Sequence, residues 1–208
     1  SSSERADLSH LDNYLKLLWR LSLGSPLSYI AGHPFDVRGT DSINCFLLSN
    51  KKRGGAVNID LPHDKTLRDV LNLEAGISDP LQNFEVYIDG VQLFRPVEIS
   101  DQLLGAQNLG KPMIFVGSAE TSFGGADTQR SGGNLKFEAY LYWNSKIVPK
   151  ESIGALIRVN GASGTLFDPE FLGYQISEQT RKKQVTCEIF VLEGLDGALN
   201  IDRESYNT

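Results

Sequence analysis

The sequence is poor in the residues that covalent and metal chemistry require. It holds two cysteines and three histidines in 208 residues. Cys45 and Cys187 each lie inside an apolar, strand-like run, far apart in the chain, so two reduced, buried thiols are expected rather than a disulfide or a metal site. His10, His33 and His63 fall in the first third. None has a Cys, His or carboxylate at metal-ligand spacing, which points to exposed or anchoring roles and to no metal site. There is no Gly-x-Ser-x-Gly elbow and no P-loop, and GASG at 161–164 reads as a Gly-rich turn after a strand. Asp168 and Glu170 read as helix-start charges, since nothing beside them in sequence would raise one carboxyl's pKa. With no complete nucleophile and base, a free-standing hydrolase is excluded. No apolar run approaches the roughly 20 residues of a membrane span, and no basic-then-apolar leader opens the chain. A cytoplasmic protein without a membrane partner is the default expectation. Basic charge is also short: 20 Lys and Arg stand against 26 Asp and Glu, for a net charge of −6. That balance argues against nucleic acid as the main partner.

What is present is an ordinary globular composition, 40% hydrophobic and 22% charged, in a chain long enough for one large or two small domains. In the stretch 7–23, Leu8, Leu11, Leu15, Leu18 and Leu21 recur at three and four residues with Tyr14 and Trp19 beside them, predicting an amphipathic helix stopped by Gly24 and Pro26. Residues 24–42 are punctuated by Gly and Pro without a period and read as an extended connector, with His33-Pro34-Phe35 packed as an anchor. INCFLLSN and AVNIDLP, around the KKRGG tip, read as a β-hairpin over 43–61. Thr66 precedes a short helix, LRDVLNL. Asp89-Gly90 between two alternating runs signals a second hairpin, and MIFV at 113–116 one more short strand. Residues 117–133, rich in Gly, Ser and Thr, mark a boundary and a flexible loop. Beyond it come the strand LKFEAYLYW, with Leu135, Phe137, Ala139, Leu141 and Trp143 on an apolar face and Lys136, Glu138, Tyr140 and Tyr142 on an amphipathic one, and the strand GALIRV, interrupted by Arg158, then a loop with a short helix.

The last strand, VTCEIFVLE, has apolar residues on much of both faces, as a buried strand does. It delivers the closing stretch Gly197 to Thr208, GALNIDRESYNT. There Asp202 is placed to cap a helix starting at Arg203. Read from the residues alone, Arg203 is either a functional group held in place by the strand behind it or a helix-start charge paired with Asp202 or Glu204. The chain thus divides into a connector helix and linker (1–42), a small α+β sub-domain (43–116), a flexible loop (117–133) and a second sub-domain (134–208), and its class is α+β.

The second half, from NLKFEAYLYW through GALIRVNGAS to VTCEIFVLEGLDGALNIDRESYN, resembles the middle domain of the ninety-kilodalton heat-shock chaperones and related bacterial ATPases of the GHKL superfamily, which also includes gyrase, histidine kinases and MutL. The closing run Leu199, Asn200, Ile201, Asp202, Arg203 and Glu204 matches that family's L-N-[IL]-[SD]-R-E pattern in type and place. The resemblance implies a transducer fold of the ribosomal-protein-S5-domain-2 kind, with a left-handed βαβ unit. It implies that Arg203 contacts the γ-phosphate of ATP in a neighbouring N-terminal ATPase domain of the same protein. A permanently charged guanidinium supplied from a second domain would stabilise phosphoryl-transfer charge only when the domains close. Asn207, four residues on and on the same helical face, would bond the same phosphate, although the family usually has Gln there.

The family's ATPase signatures, a Glu-x-x-x-Asn helix and an Asp-x-Gly-x-Gly turn, are absent from this sequence. ATP and magnesium are therefore expected to be bound mainly by that missing domain, with helix 7–23 docking on it. Dimerisation is expected only in the full-length parent, and a protein client is a further implied partner. Arg181–Lys183 reads as a solvated basic turn or as a group approaching nucleotide or client. The rival reading is a nucleotide-independent interaction module that uses the hairpins at 43–61 and 84–97, with Arg203 as a cap.

Overall fold

Period-2 runs from both halves of the chain assemble into one sheet. The computed structural model describes residues 2–39, 43–51, 53–77, 84–97, 99, 111–121, 134–173 and 178–194. Strands β1 (Asn44–Leu48) and β2 (Ala56–Ile59) form the expected antiparallel hairpin. The short β3 (Tyr87–Ile88) and β4 (Val91–Gln92) form a second one by themselves. Asp89 and Gly90 between them both take positive φ, 51° and 78°, the tight turn that Asp-Gly favours. Strands β5 (Met113–Thr121), β6 (Leu135–Trp143), β7 (Gly154–Val159) and β8 (Val185–Glu193) complete a six-stranded sheet in the order β2-β1-β5-β6-β8-β7. The β1–β5 and β7–β8 pairs are parallel and the other ladders antiparallel. The architecture is mixed α+β.

Among the described residues three α-helices accompany the sheet. The leucine spacing appears as α1 (Ser2–Gly24), longer than its apolar period. Helix α2 (Leu67–Leu71) starts at Thr66, whose hydroxyl accepts from the Asp69 N–H while the Asp69 carboxylate accepts from the Thr66 N–H. This reciprocal capping box supports a helix too short to stand alone. Helix α3 (Gln179–Lys182) lies in the crossover from β7 to β8. Among the described residues no helix is long and apolar enough to cross a membrane.

Two expectations are refined. Residues 117–121, placed by composition in the boundary loop, are the second half of β5: Gly117 to Thr121 each have a partner on β6, from Ala139 to Leu135. Backbone pairing needs no apolar side chain, so composition hides it. The rest of that loop, 122–133, lies outside the described residues. On β6, moreover, the amphipathic face is the more deeply buried one, with Glu138, Tyr140 and Tyr142 against the core and Phe137, Leu141 and Trp143 half-buried.

That core is one cluster shared by both halves. It joins Leu23, Phe35, Cys45, Ile114 and Val116 to Tyr140, Leu156 and Phe190. The connector supplies its centre. Pro34–Asp36 is a 3₁₀ turn capped by the His33 ring, whose Nδ1 accepts from the Phe35 N–H at 3.1 Å. Phe35 packs edge-on to Tyr140 and Phe190.

Candidate functional site

Neighbouring strands carry opposite charges on the face that meets the connector. Leu156 of β7 lies opposite Glu188 of β8, and one pleat further along, Arg158 reaches Glu188 with its Nε 2.5 Å from Oε1. Both side chains are fully buried. The other carboxylate oxygen accepts from the Tyr140 hydroxyl at 2.7 Å and the Tyr29 hydroxyl at 3.0 Å. Burial, then the Glu188 charge, raises the pKa of both hydroxyls. Burial works against the Arg158 charge, but Glu188 outweighs it and holds the guanidinium above its ordinary pKa. A buried pair persists only with such additional hydrogen bonds.

The same cations close the end of α1. The last turn of that helix has no basic residue of its own, and its final carbonyls need partners. Arg158 Nη1 donates to the Leu23 carbonyl at 2.7 Å. The Ser163 N–H donates to the Gly24 carbonyl at 2.9 Å, and Arg95 Nε to that of Ser25 at 3.4 Å. Cations at a helix C-terminus also meet the negative end of its dipole. Arg95 is fixed by its own backbone, which bridges Tyr29 and Ser28. Its guanidinium lies 4.9 Å from the Tyr29 ring centroid and donates to the Gly161 carbonyl. One polar network thus joins α1, the connector, β6, β7 and β8.

Beside this network lies a cleft of about 270 Å³, with His33, Glu74, Arg95, Arg158, Phe190 and Glu193 among its lining residues. One wall is positioned by Glu138, whose buried carboxylate accepts from the N–H groups of Glu74 and Ala75 at 2.8–3.0 Å. His33 packs against Tyr29 and Phe190, with centroids 5.0 and 5.1 Å away. Since its Nδ1 is an acceptor, the ring proton sits on Nε2. Burial, followed by the charges of Arg68, Arg95 and Arg158, lowers its pKa well below the usual value, so the ring is neutral. Two buried nitrogens at this cleft have no partner among the described residues, His33 Nε2 and Arg158 Nη2.

The residues singled out from the sequence fare differently. Arg203, Asn207 and the whole closing stretch lie outside the described residues. Strand β8 is where it was expected, and its last residue, Glu193, lines the cleft. In the basic cluster, Arg181 pairs with Glu178 at 3.0 Å and Lys182 with Glu170. Asp168 accepts from the Glu170 N–H at 2.8 Å, closing a turn. Cys45 and Cys187 are free and buried, and burial pushes their thiols up to about 11 and about 12, far from nucleophilic range. No cluster of three or more His, Cys, Asp or Glu placed to hold a metal ion occurs among the described residues.

What the sequence reading missed is the network itself. In the sequence Arg158 interrupts an apolar strand and Glu188 lies among apolar neighbours, and neither points to the other. The available signal was one charge in the interior of each of two apolar strands, Arg158 in β7 and Glu188 in β8. No protein-family model, no curated protein and no solved structure matches this chain.

Proposed function

We propose that this chain is the middle, transducer-type domain of a heat-shock-protein-90-like ATPase of the GHKL superfamily, coupling ATP hydrolysis in a neighbouring domain of the same protein to conformational change. ATP and magnesium are held mainly by that neighbouring domain, and Arg203 reaches the γ-phosphate with Asn207 beside it. The observation that carries this reading is the tie between α1 and β8. The carbonyl of Leu23 at the end of α1 is held by Arg158, which is held by Glu188 on β8, and the chain leaving β8 leads on to Arg203. A displacement of α1 is therefore opposed by the strand that delivers the arginine. Two further features support the reading. The adjacent parallel strands β7 and β8 enclose α3 in a βαβ unit. The leucine face of α1 is left open, with Leu11 and Leu15 51% and 52% exposed, as a helix that docks on another domain requires.

The test is steady-state ATP hydrolysis by the full-length parent, wild type against Arg203→Ala, with nucleotide affinity measured alongside. Hydrolysis is expected to fall by about 10²-fold or more while affinity changes little, the scale of losing a charge-stabilising arginine. A parent without ATPase activity, or a variant that hydrolyses normally, removes this reading.

The interaction-module reading has its own support. Val57 on the edge strand β2 is 65% exposed, and Tyr87 and Val91 of the second hairpin are also exposed. Apolar side chains on hairpins of this kind suit a protein partner.

A further inference from the structure

The cleft beside the Arg158–Glu188 pair presents donors without acceptors. Arg158 spends Nε on Glu188 and Nη1 on the Leu23 carbonyl, which leaves the N–H groups of Nη2. His33 is committed at Nδ1, which leaves its Nε2–H. Arg95, 5% exposed, has carbonyls and the Tyr29 side chain as partners among the described residues and no ion pair. Buried N–H groups left unpaired are costly, and two such groups on residues that line one cleft call for an acceptor there. The charges narrow its nature. Arg158 is paired with Glu188, whereas Arg95 makes no ion pair among the described residues, so its charge favours an anionic ligand. Glu74 and Glu193 also line the cleft, and both residues are exposed. A second negative charge on the ligand would meet them, which disfavours a phosphate at neutral pH. Phe190 and Leu192, on one face of β8, give the lining an apolar part, suited to a body that prefers to leave water.

We propose that this cleft binds a small monocarboxylate with an apolar body, its carboxylate received by Arg158 Nη2, His33 Nε2–H and the Arg95 guanidinium. The site does not depend on the ATPase reading, since none of its groups touches nucleotide in that proposal. A neutral histidine of fixed tautomer and a planar guanidinium suit a carboxylate, which takes parallel N–H donors at its two oxygens.

The experiment titrates the folded chain with benzoate, acetate and inorganic phosphate at matched ionic strength. It follows the His33 Nε2 resonance by long-range nitrogen–proton NMR and the thermal midpoint in parallel. Benzoate is expected to shift the His33 resonance saturably and raise the midpoint, because a ligand bound by the native state alone stabilises it. Acetate is expected to bind more weakly and phosphate most weakly. Arg95→Gln is expected to weaken benzoate about tenfold or more. Leu192→Trp, which fills the cleft without removing a donor, is expected to abolish binding even if Arg95→Gln fails to fold. Glu193→Gln, on an exposed residue, is expected to narrow the gap between phosphate and benzoate. No saturable shift with any probe, phosphate binding tighter than benzoate, or unchanged binding in Leu192→Trp overturns the proposal.

Discussion

At the scale of single residues the fold rests on a few buried polar groups whose worth is set by their partners. Glu188 receives three donors, from Arg158, Tyr140 and Tyr29. Replacing it by Gln leaves the Arg158 charge buried without a counterion, at a cost of about 3–5 kcal/mol. The double variant Arg158→Met with Glu188→Leu is expected to recover part of that loss. It cannot recover all of it, because two tyrosine hydroxyls and the Leu23 carbonyl lose their partners. Urea unfolding checks this, and purely additive losses would contradict a coupled pair. His33 gives a pH signature. In the unfolded chain its ring takes up a proton below about pH 6.5, whereas the folded ring, held low by burial and by Arg68, Arg95 and Arg158, stays neutral further down. The unfolded state then binds more protons, so stability is full above about pH 6.5 and falls as the pH drops toward the folded value. The limiting slope is about 1.4 kcal/mol per pH unit. His33→Asn keeps an oxygen to cap the 3₁₀ turn and is expected to flatten that slope in unfolding measurements from about pH 7 to about pH 5. Equal slopes in both proteins would sink the assignment. Little of this was legible from sequence: periodicity marks which residues are buried, but not that the charge on Arg158 finds its complement 30 residues away.

At the scale of elements, the local signals were the legible ones. The leucine spacing of α1, the Asp-Gly turn, the Thr66 start of α2 and the alternations of β6 and β8 each act over a few residues, and each appears where its chemistry places it. Thr66 offers the plainest check. Its side chain accepts from the Asp69 N–H at 3.2 Å, and Thr66→Ala is expected to cost about 1 kcal/mol, with Thr66→Ser restoring most of it. A loss no larger than that of an ordinary exposed substitution would mean that packing alone holds α2. The less legible elements are those fixed by distant pairing. The outer half of β5 is strand because β6 pairs with it, and its polar sequence gave no period. Tyr140 and Tyr142 turn the amphipathic face of β6 inward because burying their rings outweighs leaving them wet, while Glu138 is satisfied by backbone N–H groups more than sixty residues earlier.

For the molecule as a whole, what matters is how the two halves are joined. Strands β1, β2 and β5 of the first half share one sheet with β6, β7 and β8 of the second, and both halves share one core, so a force applied at either end meets a continuous packed layer. The end of α1 is bound into that layer at Leu23, Gly24 and Ser25, while the half carrying Leu11 and Leu15 stands clear of it with both leucines exposed. Stability and coupling should therefore separate along one helix. In this chain, Leu11→Glu with Leu15→Glu is expected to change unfolding free energy by no more than about 0.5 kcal/mol per site, because exposed positions bury little on folding. In the full-length parent the same pair is expected to lower ATP hydrolysis without lowering nucleotide affinity. Helix α1 could then no longer hold its sheet, and the segment leading to Arg203, against the ATPase domain. Unfolding and hydrolysis measured on one pair of variants read both ends of that link. If hydrolysis is unchanged, α1 does not dock on the ATPase domain. If instead the isolated chain is strongly destabilised, the leucines pack against the chain's own residues, and their exposure carries no partner.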